Sequence, residues 1–297
     1  MRIRKKKRIA LALGAGGARG IAHIGVLKAL AESNIPVDFI AGASFGSIVG
    51  ALYSIHMDTA EIEGRLREYM QSPVFQEVKE EIESLENDKT RTFLEKIQST
   101  IKKGYFYTRA MRRNALITPE DFVANIKELI NDYSFDDMHI PFKCLSVDII
   151  TGNPIVLSDG DLCTALQASC ATPGFFPPVR LDGLLLVDGG VAEMIPVGLA
   201  KTFKPDYIIG VDVSRDIIPI EDPEGEITHS LDVVFRSYDI TRDFMNVYMS
   251  KEIDCMIRPD IGSYDWTDFE LLDIYIEEGY NAAMAKIKTI RKDIYWF

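Results

Sequence analysis

The sequence predicts an α/β protein in which a mainly parallel sheet carries helices packed against it. Three observations carry this expectation. Short apolar runs alternate with amphipathic helical patterns, in the order strand, helix, strand, helix, from the N-terminus onward. Glycines close several of the apolar runs, as they do in loops at strand ends. The chain has 297 residues, 47% of them hydrophobic, which suits one large α/β domain with a substantial core.

Each element follows in chain order. RIALALG, residues 8–14, reads as a short buried strand ending in glycine. IAHIGVLKALAES, 21–33, reads as a helix, since Ile21, Ile24, Val26, Leu27 and Leu30 recur near helical spacing. Asn34–Pro36 breaks it. VDFIAGA, 37–43, is a second strand, and SFGSIVGALYSI, 44–55, a helix rich in small residues. Residues 58–135 differ: they are helical in pattern, heavily charged and poor in strand signals. They predict a helical excursion covering one end of the sheet. Within it, IKKGYFYTRAMRR, 101–113, sets cations around three consecutive aromatics. That composition suits a lipid-docking lid, or a loop whose aromatics fill the core while its cations stay wet.

The second half continues the pattern. FKCLSVDII, then Thr151-Gly152-Asn153, then PIVLS reads as strand, turn and strand. DLCTALQASCA, 161–171, reads as a helix that ends at Ala171–Gly174. LLLVDGG is another strand with a glycine stop, and DYIIGVDVS a further buried strand. A polar loop spans 214–229. Two helical segments follow, around 230–250 and 268–292, with strand-like EIDCMIRP between them. With no internal repeat or low-complexity linker, the expectation is a single domain over 1–297.

Charge narrows the function classes. The net charge of −12 argues against a nucleic-acid-binding surface. Arg2, Arg4, Lys5, Lys6, Lys7 and Arg8 give the first eight residues +6, so the rest carries −18. Such an arm can touch anionic lipid headgroups, at roughly 1 kcal/mol per cation, or simply be a solvated flank before a buried strand. The basic start followed by IALALGAGGA mimics a signal peptide, but its apolar part is short and Arg19 and His23 interrupt it. No run approaches the ~20 apolar residues of a membrane span. A cytoplasmic protein, peripheral to a membrane at most, is expected. Cys144, Cys163, Cys170 and Cys255 form no C-x-x-C pair and read as buried free thiols. His23, His56, His139 and His229 lack metal-ligand spacing, so neither a metal nor another cofactor is expected.

Two glycine loops carry the chemistry. GAGGARG, 14–20, fails the dinucleotide pattern G-x-G-x-x-G, because Arg19 stands at the third glycine position. The same arginine spoils the phosphate-loop pattern. What remains is a run of glycines before a helix, whose N–H groups can face negative charge, such as the oxyanion of a tetrahedral intermediate. The second loop, GASFGS, is G-x-S-x-G over Gly42, Ser44 and Gly46, between a strand and a helix. That is the setting of a nucleophile elbow. Asp188, in VDGG at a strand end, is a candidate base. His229 is the one histidine after Asp188 and would complete a Ser–Asp–His order, although it sits in a polar loop.

Four segments in this order, GAGGARGIAHIGVL, GASFGS, ASCATPGFFPPV and VDGG, resemble the patatin-like phospholipases in their bacterial branch. SVDIITGNPIVLS is similar to the family's central strand pair, and IEEGYNAAMAKI to its C-terminal helix. The resemblance implies a three-layer α/β/α fold and a Ser–Asp dyad. Ser44 would be the nucleophile and Asp188 its general base. The glycine element would supply the oxyanion hole, with the N–H groups of Gly16, Gly17 and Ala18 as candidate donors. Ala15 departs from the family's first glycine, but its backbone N–H survives. Arg19 would orient the loop. Gly20, Gly42, Gly46, Gly189 and Gly190 complete the matching motifs.

The implied activity is serine acyl-ester hydrolysis, of phospholipase A or lysophospholipase type, on a lipid ester. A free aspartate, with pKa ≈ 3.9, is a weak base toward serine, so burial and a strong oxyanion hole must help it. Two alternatives stay open. One is an α/β-hydrolase-type esterase using His229 in a triad, against which the early position of Gly42–Gly46 counts. The other is a non-catalytic lipid-binding regulator.

Overall fold

The computed structural model describes residues 7–86, 115, 117–214, 216–217, 219–220, 227 and 230–295. Most of the basic N-terminal arm, the segment IKKGYFYTRAMRR and His229 lie outside these residues.

The core starts from β1 (Ile9–Leu13), whose five residues are all buried. Side chains alternate across a strand. Ile9, Leu11 and Leu13 enter the larger cluster, while Ala10 and Ala12 enter the smaller one. The large face is covered by α1 (Ala22–Glu32), α2 (Phe45–His56), α6 (Leu162–Cys170) and α9 (Leu272–Ile294). The alanine face receives the short α7 (Val197–Lys201) and the chain leading into it, through Ile195, Val197, Leu199 and Ala200. The result is a helix–sheet–helix layering with one thin layer. The α1–α9 contact is close enough to exclude side chains. A Cβ on Gly25 would lie 1.9 Å from the Ile276 carbonyl oxygen, and one on Gly279 2.0 Å from that of Ala22.

The remaining strands are β2 (Phe39–Ala43), β3 (Phe142–Asp148), β4 (Pro154–Leu157), β5 (Val179–Leu181), β6 (Leu184–Asp188), β7 (Tyr207–Val211) and β8 (Cys255–Ile257). The sheet order is β5-β6-β3-β2-β1-β7-β8, with β4 also on β3. The β2–β3, β1–β2, β1–β7 and β7–β8 pairs are parallel, and the three pairs involving β4, β5 and β6 are antiparallel.

One register detail positions the site. Cys144 and Leu145 pair with both β2 and β4, while Ser146 and Val147 pair with both β4 and β6. A strand has two edges, so β2 and β6 share one edge of β3. They run toward each other and meet end to end: Ala43 pairs with Leu145, and Asp188 with the next residue, Ser146. The residue after β2 is therefore brought to the last residue of β6.

Residues 58–135 contribute α3 (Thr59–Gln71), α4 (Pro73–Glu86) and α5 (Pro119–Ile130). Asp58 caps α3, accepting the Ala60 N–H at 2.8 Å. Thr118 caps α5, with Pro119 at its first position. The chain returns to the sheet beside the site, where the Ile117 N–H donates to the Phe175 carbonyl at 2.9 Å. All four cysteines are buried and free, and burial pushes the Cys163 thiol up to about 11. Among the described residues no helix is long and apolar enough to cross a membrane.

Candidate active site

Ser44 sits where β2 gives way to α2, at φ 51° and ψ −130°. A serine holds positive φ only when its surroundings enforce it. Its N–H donates to the Ser169 carbonyl at 3.1 Å and to Ser169 Oγ at 3.2 Å. Its carbonyl accepts from the N–H of Ser47 at 2.8 Å and from Ser47 Oγ at 2.6 Å. The turn is also tight. A Cβ on Gly46 would lie 2.4 Å from the Leu13 carbonyl oxygen, so glycine is required there.

Asp188 closes β6, and its own backbone N–H donates to the Ala171 carbonyl at 3.0 Å. The end of α6 thus anchors both residues, Ser44 through Ser169 and Asp188 through Ala171. The carboxylate accepts three hydrogen bonds. Oδ2 takes the Ser44 Oγ–H at 2.6 Å and the Thr172 hydroxyl at 2.9 Å, and Oδ1 takes the Gly190 N–H at 2.7 Å. Burial raises the Asp188 pKa above the usual carboxylate range, opposed by the bonds from Ser44, Gly190 and Thr172 and by the Arg242 charge. Desolvation makes the carboxylate more basic, and the hydrogen bonds keep it oriented.

The glycine loop runs alongside. Gly14 donates to Val211 at 3.1 Å and Ala15 to Met194 at 2.7 Å, which ties the loop to β7 and to the chain before α7. Gly17 takes φ 59°. The N–H groups of Gly16 and Gly17 have no acceptor among the described residues, and both glycines line the same cavity as Ser44. Ala18 is a correction to the expected donor set. Its N–H is bonded to the Trp266 carbonyl at 2.7 Å, and Ala18 is not part of the cavity lining. Arg19 is buried; its Nε donates to the Val213 carbonyl at 3.1 Å and Nη1 to that of Tyr264 at 3.0 Å. These bonds tie the loop to the chain after β7 and to Tyr264. The buried His23 donates from Nε2 to the Gly14 carbonyl at 2.8 Å, and burial lowers its pKa to about 4, so it is neutral at pH 7.

Ser44, Asp188, Gly16 and Gly17 open onto a cavity of about 1010 Å³. Its walls differ in chemistry. One set, from α3, α4, α5 and the 175–176 turn, is apolar and aromatic. Phe122 stacks on Phe176 at 4.5 Å, and Phe75 meets Phe269 edge-on at 5.1 Å. The other set is charged and comes largely from α8 (Ser230–Met249), including Arg236, Asp239 and Arg242. Among the described residues no histidine lines the cavity.

Sequence reasoning missed Ser169, Ala171, Thr172 and Trp266. The first three belong to ASCATPG, part of a segment that carries the family resemblance but no residue role in the sequence reading. A small-residue helix end followed by Thr-Pro was the available signal. Trp266 carried none, because its contribution is a carbonyl brought to the loop by tertiary packing.

Comparison with known proteins places the chain in a family. The family model described as patatin-like phospholipase matches residues 11–201. Patatin-like phospholipase domain-containing protein 6 of Mus musculus is 32% identical over 207 residues, covering 69% of this chain and 13% of its own length. Domain-containing protein 7 of Rattus norvegicus is 27% identical over 301 residues, 93% of this chain and 20% of its own. An NTE family protein of Mycobacterium bovis is 29% identical over 74% of this chain and 53% of its own length. Among solved structures, VipD from Legionella pneumophila aligns over 96% of this chain and 67% of its own, at 13% identity and TM-score 0.46. The chain belongs to the patatin-like phospholipase family. It spans only a fraction of the length of these sequence relatives.

Proposed function

We propose that the protein hydrolyses acyl esters of lipids with a Ser44–Asp188 dyad, acting as a phospholipase A or lysophospholipase. The observation that carries this is the 2.6 Å hydrogen bond from Ser44 Oγ to a buried carboxylate at the wall of a cavity with one apolar, aromatic side. The acyl chain lies among the phenylalanines. Its carbonyl carbon meets Ser44 Oγ while Asp188 Oδ2 takes the proton. The oxyanion is met by the Gly16 and Gly17 N–H groups, fixed donors of a kind worth roughly 2.7–4 kcal/mol each. Asp188 then gives the proton to the departing alcohol. Water, activated by the same carboxylate, releases the acyl group and restores Ser44. A cavity of about 1010 Å³ is at the upper end of the ~300–1,000 Å³ usual for small-ligand sites, which suits a long acyl chain.

The test is hydrolysis of a p-nitrophenyl acyl ester, with fluorophosphonate labelling of the serine. Ser44→Ala is expected to abolish both, and Asp188→Ala to abolish turnover. His229→Ala is expected to retain activity. Full activity in Ser44→Ala or Asp188→Ala would remove the dyad, and loss in His229→Ala equal to that in Asp188→Ala would favour a triad. An unlabelled wild-type serine would favour a lipid-binding regulator.

A further inference from the structure

The charged wall of the cavity raises a question that ester hydrolysis alone does not answer. Arg236, Asp239, Arg242, Asp243 and Asn246 recur at helical spacing on α8, and all five line the cavity. The helix is held against the end of β7 there. Asn246 Nδ2 lies 3.3 Å from Ser214 Oγ and 3.5 Å from Asp212 Oδ1, and Asn246 is only 9% exposed. One turn earlier, Arg242 lines the same cavity as Asp188, and its charge opposes the rise in that carboxyl's pKa.

Arg242 is held by its own helix through Asp239 and the Tyr238 side chain, with one N–H left over among the described residues. One Nη lies 3.1 Å from Asp239 Oδ1, and the guanidinium sits 4.9 Å from the centre of the Tyr238 ring. Its Nε–H is buried with no acceptor among the described residues. A guanidinium short of acceptors beside a cavity is a costly arrangement unless an anion completes it. Arg19, also on the cavity wall, is different, since its donors are bonded to two carbonyls that brace the glycine loop. The neighbouring carboxylates of Asp239 and Asp243 limit the charge that the wall accepts. They repel a dianionic phosphate monoester more strongly than a monoanionic phosphodiester.

We propose that Arg242 selects the headgroup: its guanidinium takes the phosphodiester of a substrate whose acyl ester lies against Ser44. The inference rests on the Ser44–Asp188 reading. The planar fork of arginine matches two phosphate oxygens, which a neutral glyceride does not offer. Monoacyl and diacyl phospholipids share this chemistry.

The experiment compares kcat/KM for lysophosphatidylglycerol and for monoacylglycerol with the same acyl chain, in matched detergent micelles. A parallel arm uses phosphatidylglycerol and diacylglycerol, and the arm with the larger effect identifies the monoacyl or diacyl source. Because Arg242 also acts on Asp188, the neutral lipid reports that influence and the ratio isolates the phosphate. In Arg242→Gln the phospho-to-neutral ratio is expected to fall about tenfold or more, chiefly through KM. Arg242→Lys, which keeps the charge and loses the fork, is expected to fall between, and carries the test if the glutamine variant does not fold. A ratio altered by less than about twofold in the folded variants overturns the proposal. Binding in a Ser44→Ala background, followed by tryptophan fluorescence with the same micelles, should weaken in the same proportion. That measurement needs no turnover, so a failed dyad and a failed phosphate site give different results.

Discussion

At the scale of single residues, the proposed chemistry rests on a carboxylate that is both buried and bonded. Burial pushes the Asp188 pKa up, while hydrogen bonds from Ser44, Gly190 and Thr172 hold it down. In the proposed role of base it would work only when ionised, so rate would be lost as pH falls through its raised pKa. The acid limb of kcat/KM is therefore expected at higher pH than an exposed aspartate would give. Thr172→Val removes a bond that favours the charged form, made at 2.9 Å. Its acid limb should move further upward, as read from a kcat/KM profile against pH. A limb that stays or moves down would contradict the role given to Thr172. This residue was hidden in the sequence because a threonine after a helix reads as a stop signal. Its hydroxyl meets Asp188 only because α6 ends beside β6.

Among elements, the tightest contact is that between α1 and α9. Their axes approach at Gly25 and Gly279, where any side chain would meet a carbonyl of the other helix. Gly279→Ala is expected to destabilise the fold by about 1–3 kcal/mol through overpacking, measured as a lowered urea midpoint at unchanged m-value. The two helices were each legible from their periodicity, but their pairing was not. The β5–β6 hairpin shows a different gap. Asp182 and Gly183 both take positive φ, 48° and 83°, as a two-residue hairpin turn demands. The Asp-Gly signal was present in the sequence, yet β5 is three residues long and carries Arg180, so no strand pattern surrounded it. The antiparallel direction of β6 had no local signal at all.

For the whole molecule, His23 couples stability to pH. It is fully buried, and its pKa is about 4 in the folded state against 6.5 for the free side chain. Between these values the unfolded chain binds more protons than the folded one. Stability is thus complete above about pH 6.5 and is lost as pH falls toward 4, by on the order of 3 kcal/mol. Urea unfolding at pH 7.5 and pH 5 should show the drop, and His23→Gln, neutral at both, should flatten it. An equal drop in His23→Gln would assign the pH dependence elsewhere.

The sequence by itself determined the alternation of strands and helices, the elbow at Ser44, the glycine loop and the aspartate at a strand end. These are local properties: periodicity, backbone freedom and the residue types that a turn permits. Only the tertiary structure decided that β2 and β6 meet end to end on one edge of β3, because strand direction and register come from pairing partners far along the chain. That junction brings Ser44 to Asp188. Tertiary packing likewise decided which loop amides are bonded, since the Trp266 carbonyl takes the Ala18 N–H while those of Gly16 and Gly17 have no acceptor among the described residues.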